Sequence, residues 1–230
     1  MIKALIFDLD GTLVDTLTDL RTGINAMLTK LGYRTRTAAD ILNFINHGSK
    51  ELVRRSLPKE VQNIDFILES AMRIYDEEYA KCHCNETKPY IGVESMLMEL
   101  KGMGYKIGVL SNKQDAFVKD IVYKFFDKKI FSAVMGQRLL PPKPNPASAY
   151  LLSKLMGVKP SRCIFIGDSD VDLKTAENAG MKHIGVTWGF RDEKFLKKSG
   201  VSNLAHTPDD VVALVQKTAE AEMPQKRHGK

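Results

Sequence analysis

The stretch Lys3-Ala4-Leu5-Ile6-Phe7-Asp8-Leu9-Asp10-Gly11-Thr12-Leu13-Val14-Asp15 decides the fold. Its first six residues are a short apolar run ending on a carboxylate, the pattern of a strand buried on both faces of a parallel sheet. Asp10-Gly11 is a turn pair that stops it. Helical periodicity then takes over, with Leu17, Leu20, Ile24, Met27 and Leu31 at steps of three and four and Gly32 placed as a C-terminal cap. Similar patterns over residues 38–57 and 64–82 make residues 16–85 an all-helical stretch.

After Pro89 the pattern changes to alternation. Helical patterns at 92–103, 115–125, 147–156, 170–179 and 208–219 alternate with strand patterns at 106–110, 131–135, 163–167 and 183–187. Alternation of this kind predicts an α/β fold, a doubly wound parallel sheet (a Rossmann-like core). The expected organisation is a discontinuous catalytic core of residues 1–15 and 86–222. An all-helical cap at 16–85 is inserted between hinges near 15–16 and 87–90. Residues 223–230 are expected to be a disordered basic tail.

Composition narrows the function classes. Hydrophobic residues are 43% and charged residues 27%, the balance of a soluble globular protein. No apolar run approaches the roughly 20 residues that span a bilayer, and the apolar start is too short for a secretory signal. Three cysteines, Cys82, Cys84 and Cys163, form no framework, which points to a reducing, cytoplasmic setting. Cys82-His83-Cys84 lacks a second ligand pair and reads as the end of a helix. The net charge of +6 is scattered along helix faces apart from Lys226-Arg227-His228-Gly229-Lys230. Scattered charge argues against nucleic acid and leaves a small anionic partner. No membrane partner is expected, and the chain is expected to be a monomer or homodimer.

In open parallel sheets ligands bind at the carboxyl ends of the strands. Asp8, Ser111 and Asp168 all fall at such ends, on three different strands. Their loops would gather Asp8, Asp10, Asp168 and Asp172 with Lys143 from the proline-rich loop 141–146. Crowded carboxylates repel one another, and a divalent cation plus one lysine would cancel three of the four charges. An oxygen-only set of this kind suits magnesium. A carboxylate nucleophile splits phosphate ester cleavage into two easier transfers, while Ser111 and Asn112 offer donors to the phosphoryl group. Asp170 fits a helix start and stays outside this set.

The segments Asp8-Leu9-Asp10-Gly11-Thr12-Leu13-Val14-Asp15, Ser111-Asn112, Lys143-Pro144 and Gly167-Asp168-Ser169-Asp170-Val171-Asp172, in that order, resemble the four motifs of the haloacid dehalogenase-like hydrolase superfamily. The Val186-Thr187-Trp188-Gly189-Phe190 stretch and the helical insert resemble its phosphoglycolate phosphatase-like branch with a small helical cap. The resemblance implies a magnesium-dependent phosphoric monoester hydrolase acting on a small phosphorylated metabolite, 2-phosphoglycolate among the candidates. It implies Asp8 as nucleophile and Asp10 as general acid, then base. Asp8, Asp10 (through its main-chain carbonyl) and Asp168 would hold the metal, with Asp172 behind them. Thr12, Ser111, Asn112 and Lys143 would bind the phosphoryl group. Asn46, His47 and Gly48 lie where such caps carry a substrate-selecting loop. A phosphosugar mutase of the β-phosphoglucomutase kind, a pyrophosphatase and a non-enzymatic phosphate-binding module are the alternatives on this core.

Overall fold

The computed structural model describes residues 1–221, and the expected tail at 223–230 lies outside the described residues. In chain order the first half runs β1 (Ala4–Phe7), β2 (Val14–Asp15), α1 (Leu17–Lys30), α2 (Ala38–Phe44), α3 (Ser49–Ser56), α4 (Asp65–Cys82) and β3 (Lys88–Pro89). It continues α5 (Val93–Gly102), β4 (Lys106–Gln114), α6 (Asp115–Phe125), β5 (Phe131–Gln137), α7 (Ala147–Leu155) and β6 (Cys163–Gly167). The last elements are α8 (Asp170–Ala179), β7 (Lys182–Val186), α9 (Glu193–Lys198), β8 (Leu204–Ala205) and α10 (Pro208–Glu220).

Six strands form one parallel sheet in the order β5-β4-β1-β6-β7-β8. Strand β1 lies in its middle because both of its faces are covered. Leu5 and Phe7 pack with residues of α5, α6 and α10, while Ala4 and Ile6 pack with residues of α7 and α8. The period-two alternation of a strand thus feeds two separate cores. Successive strands run to either side of β1, so the crevice where the order reverses opens at its carboxyl end.

Helices α1 to α4 build a third core around Ile24, Met27, Leu28, Ile41, Val53, Tyr75 and Tyr79. The helical pattern expected across residues 38–57 is two helices here. The backbone turns at Asn46 (φ 81°) and Gly48 (φ 87°), a left-handed excursion that ends α2 and starts α3 in a new direction. Strand β4 runs on through Ser111, Asn112 and Lys113 to Gln114, which pairs with Gln137 after a register shift.

The helical insert leaves and rejoins the sheet through a two-stranded ribbon. Val14 pairs with Pro89 and Asp15 with Lys88, antiparallel. Behind the ribbon the carboxylate of Asp19, 1% exposed, accepts from the Glu86 N–H at 3.0 Å, the Thr87 N–H at 2.8 Å and the Thr87 hydroxyl at 2.7 Å. One side chain in the first turn of α1 therefore satisfies the returning backbone. Replacing Asp19 by Ala leaves those donors unpaired in a dry place. We expect a loss of about 2 kcal/mol, seen in thermal unfolding as a Tm lower by roughly 4–8 °C. An unchanged Tm would mean that these bonds contribute nothing.

Candidate active site

Where β1 ends, the chain delivers Asp8, and the neighbouring strand β6 ends on Gly167 and Asp168. Ser169 then caps α8: its hydroxyl accepts from the Asp172 N–H, and the Asp172 carboxylate accepts from the Ser169 N–H and hydroxyl. That capping box fixes Asp172 pointing back towards the strand ends. Asp8, Asp168 and Asp172 consequently offer carboxylate oxygens that all lie within 4.8 Å of one another, each buried.

Lys143, 4% exposed, reaches into this cluster from the proline-rich loop. Its Nζ stands 2.9 Å from Asp8 Oδ1 and 2.7 Å from Asp172 Oδ1, over the Phe165 ring. Burial works against its charge, but Asp172 and Asp8 outweigh that and hold the ammonium firmly protonated. One lysine does not offset three acids. Burial and the repulsion of Asp172 push Asp8 well above the usual carboxylate range, against the pull of Lys143. The same two effects push Asp168 up to about 7, although it accepts the Phe190 N–H at 2.7 Å. A buried set of oxygen donors that cannot all ionise alone fits a hard divalent cation. Both oxygens of Asp172 (on Lys143 and Ser169) and both of Asp168 (on Thr12 and Phe190) already accept hydrogen bonds, whereas on Asp8 the contacts of Leu9 N–H and Lys143 fall on Oδ1.

The carboxylate of Asp10 turns away from that cluster. It accepts from Thr16 Oγ1 at 2.6 Å, Ser111 Oγ at 3.2 Å and Lys113 Nζ at 2.5 Å. Burial raises its pKa, yet the Lys113 charge and these three hydrogen bonds together bring it below the ordinary value. Lys113, 7% exposed and set over the Tyr79 ring, is a site residue that the sequence reading missed. The available signal was a lysine inside an otherwise buried strand.

The other expected phosphoryl ligands are placed unevenly. Ser111 and Asn112 line the cavity above Asp8. The Asn112 amide is already engaged, donating to the carbonyls of Asn46 (3.1 Å) and Lys143 (3.0 Å) and accepting from the Lys143 N–H (2.7 Å). Thr12 is buried and its hydroxyl turns to Asp168 Oδ1 at 3.4 Å. From the helical insert, Asn46 and Gly48 line the cavity, whereas His47 is exposed and absent from its wall. Gly11 and Gly189 are required by close approach, since a Cβ on either would collide with the Asp168 carboxylate.

Known proteins share this fold. Residues 5–186 match the family model described as haloacid dehalogenase-like hydrolase. The phosphoglycolate phosphatase of Psychrobacter arcticus is 33% identical over 219 residues, covering 93% of this chain and 94% of its own. That of Pseudomonas putida is 31% identical over 192 residues, covering 82% and 70%. A crystal structure described as a predicted phosphoglycolate phosphatase from Haemophilus somnus superposes with a TM-score of 0.85 at 28% identity, over 94% of this chain and 98% of that one. The chain belongs to the haloacid dehalogenase-like hydrolases. Within them it falls in the phosphoglycolate phosphatase-like branch. Among the described residues no helix is long and apolar enough to cross a membrane.

The acidic cluster predicts how stability follows pH when no cation is bound. Asp8 and Asp168 hold their protons more tightly folded than unfolded, so ionising them costs folding free energy. For Asp168 that cost grows as pH rises from its ordinary 3.8 to about 7. In chelator, Asp168→Asn should gain Tm relative to the parent protein across this window. Parallel Tm–pH curves for the two proteins would refute the reading.

Proposed function

We propose that the chain, a phosphoric monoester hydrolase of this family, is a magnesium-dependent enzyme for small phosphate monoesters of the 2-phosphoglycolate type, working through a phosphoryl-aspartate on Asp8. The carrying observation is the Asp8 carboxylate at the floor of a cavity, 2.9 Å from a buried lysine, with Asp10 opening on the same space. Names of the similar proteins support the substrate class.

In the first transfer an Asp8 oxygen bonds to phosphorus while the ester P–O bond breaks, and Asp10 gives a proton to the departing oxygen. In the second, Asp10 takes a proton from water as that water's oxygen bonds to phosphorus. The Asp8–phosphorus bond then breaks, releasing phosphate and restoring the carboxylate. Lys113 keeps Asp10 ionised in the free site. An arriving phosphoryl dianion opposes that, favouring proton uptake when an acid is needed. Lys143 offsets charge on the transferring oxygens and Ser111 donates to them. Asp8, Asp168 and the Asp10 main-chain carbonyl would hold magnesium, whose charge would offset the cluster and polarise the phosphoryl group. Residues 16–85 would act as a cap hinged on the β2–β3 ribbon, keeping water out of the first transfer.

Phosphate release from a panel of esters, with magnesium, with chelator and with Asp8→Asn, tests this reading. We expect magnesium-dependent release that falls at least about 10³-fold in Asp8→Asn. Release undiminished by that substitution would sink the aspartyl route. Lys113→Met should let burial push Asp10 upward and move the acid limb of the rate profile up by about one pH unit. An unmoved limb would separate Lys113 from the base.

A further inference from the structure

Lys113 lies near the end of β4 and is buried, yet its charge has little to bond. An ammonium carries three N–H groups. Among the described residues a single side-chain atom, Asp10 Oδ1 at 2.5 Å, accepts from it. A lysine head rides on a flexible four-carbon stem, so one ion pair alone leaves it free to swing about its acceptor. A buried charge in that state needs a further source of negative potential.

That source is a ring. The Lys113 Nζ stands over Tyr79, 5.0 Å from its centroid. The face of an aromatic ring attracts a cation most strongly where water is excluded. Lys143 is arranged alike, 5.4 Å from the Phe165 centroid. The two rings differ in origin. Phe165 belongs to β6, among the acids that Lys143 serves, whereas Tyr79 belongs to α4 of the helical insert. Lys113 and Asp10 are core residues, so the second contact crosses from one unit to the other.

The Tyr79 ring is fixed on several sides. Tyr75, one helical turn before it, stacks on it with centroids 5.3 Å apart and planes 11° apart. Phe117 of α6 meets it edge-on at 5.1 Å and 82°. Gly23 of α1 makes room for the pair. A Cβ there would stand 3.0 Å from Tyr79 Cδ2 and 3.3 Å from Tyr75 Cε2. Glycine inside a helix is unfavourable relative to alanine, so this space is kept against local preference. The Tyr79 hydroxyl, by contrast, is buried with no hydrogen-bond partner. What the structure uses at this position is the ring.

We propose that Tyr79 is a positioning residue whose ring face holds the Lys113 ammonium on the Asp10 carboxylate. This rests on the reading that Lys113 and Asp10 serve phosphate ester cleavage, and it gives a task to a side chain outside the cavity wall.

Fluorination of the ring tests it, because fluorine draws negative charge off the ring face with little change of shape. Tyr79→Phe is the reference, followed by mono-, di- and trifluorophenylalanine at the same position. NMR of the Lys113 ammonium, identified by its absence in Lys113→Met, reads positioning without turnover. We expect ammonium proton exchange to quicken at each step, by about three- to ten-fold over the series. Exchange that stays constant across the series would overturn the proposal. Kinetics on the best ester give a second readout. We expect kcat to fall stepwise by a similar factor with KM steady, and the same series in Lys113→Met to be flat. A fall of equal size in both backgrounds would mean packing alone and would also overturn the proposal. Absence of hydrolysis from every ester would count against the phosphatase reading alone, since the ammonium signal still decides the role of Tyr79.

Discussion

A lysine ammonium buried between two carboxylates, Lys143 between Asp8 and Asp172, is the contact on which the rest of the site depends. Three acids whose oxygens lie within 4.8 Å cannot be brought out of water together without positive charge. Lys143 supplies some of it, and its backbone must be held to a narrow position to do so. Asn112 does the holding: its amide bonds both the N–H and the carbonyl of Lys143. Adjacent to Asn112, Ser111 and Lys113 face Asp10. Three consecutive residues of β4 thus organise two differently charged halves of one site.

Those halves have opposite electrostatic characters, although both centre on aspartates two residues apart. Around Asp8, burial and like charges dominate, and the carboxylates resist ionisation until further positive charge arrives. Around Asp10, a lysine and two hydroxyl donors overcome burial. Strand geometry explains how neighbours come to differ. Asp8 follows β1 beside Gly167 and α8, while the Asp10 carboxylate, at the turn, meets Ser111 and Lys113 of β4. Environments that push two acids apart are how one site assigns them separate tasks.

The parts legible in the sequence were those set by strong local signals. Apolar runs ending in Asp8 and Asp168 marked strand ends, and a parallel sheet then had to bring those ends together. Lys143 stood out because prolines around it allowed only a loop. What escaped notice depended on contacts between distant segments. Asp19 looks like an ordinary acid in the first turn of a helix, and nothing local says that it binds Glu86 and Thr87. The ribbon of β2 and β3 has two residues per strand, too few to show a period. The break at residues 45–48 was hidden by apolar residues that keep helical spacing on both sides of it. Only the backbone at Asn46 and Gly48 reveals the turn. Sequence placed Asn112 among the phosphoryl ligands, yet its partners belong to two loops far away in the chain.

Asn112 also joins the helical unit to the chemistry. The same Nδ2 that bonds the Lys143 carbonyl bonds the carbonyl of Asn46, on the insert. Phe190 makes a second tie, its N–H on Asp168 and its ring against the insert core, and Arg191 adds a third by donating to the Leu42 carbonyl at 2.9 Å. The first two of these ties start from residues bonded to the charged cluster, Asn112 to Lys143 and Phe190 to Asp168, and Arg191 follows Phe190 directly. Moving the insert away would break bonds that help position Lys143 and Asp168. Contacts between the insert and the residues that hold Lys143 and Asp168 therefore tie the wall of the cavity to the placement of the charged side chains on its floor.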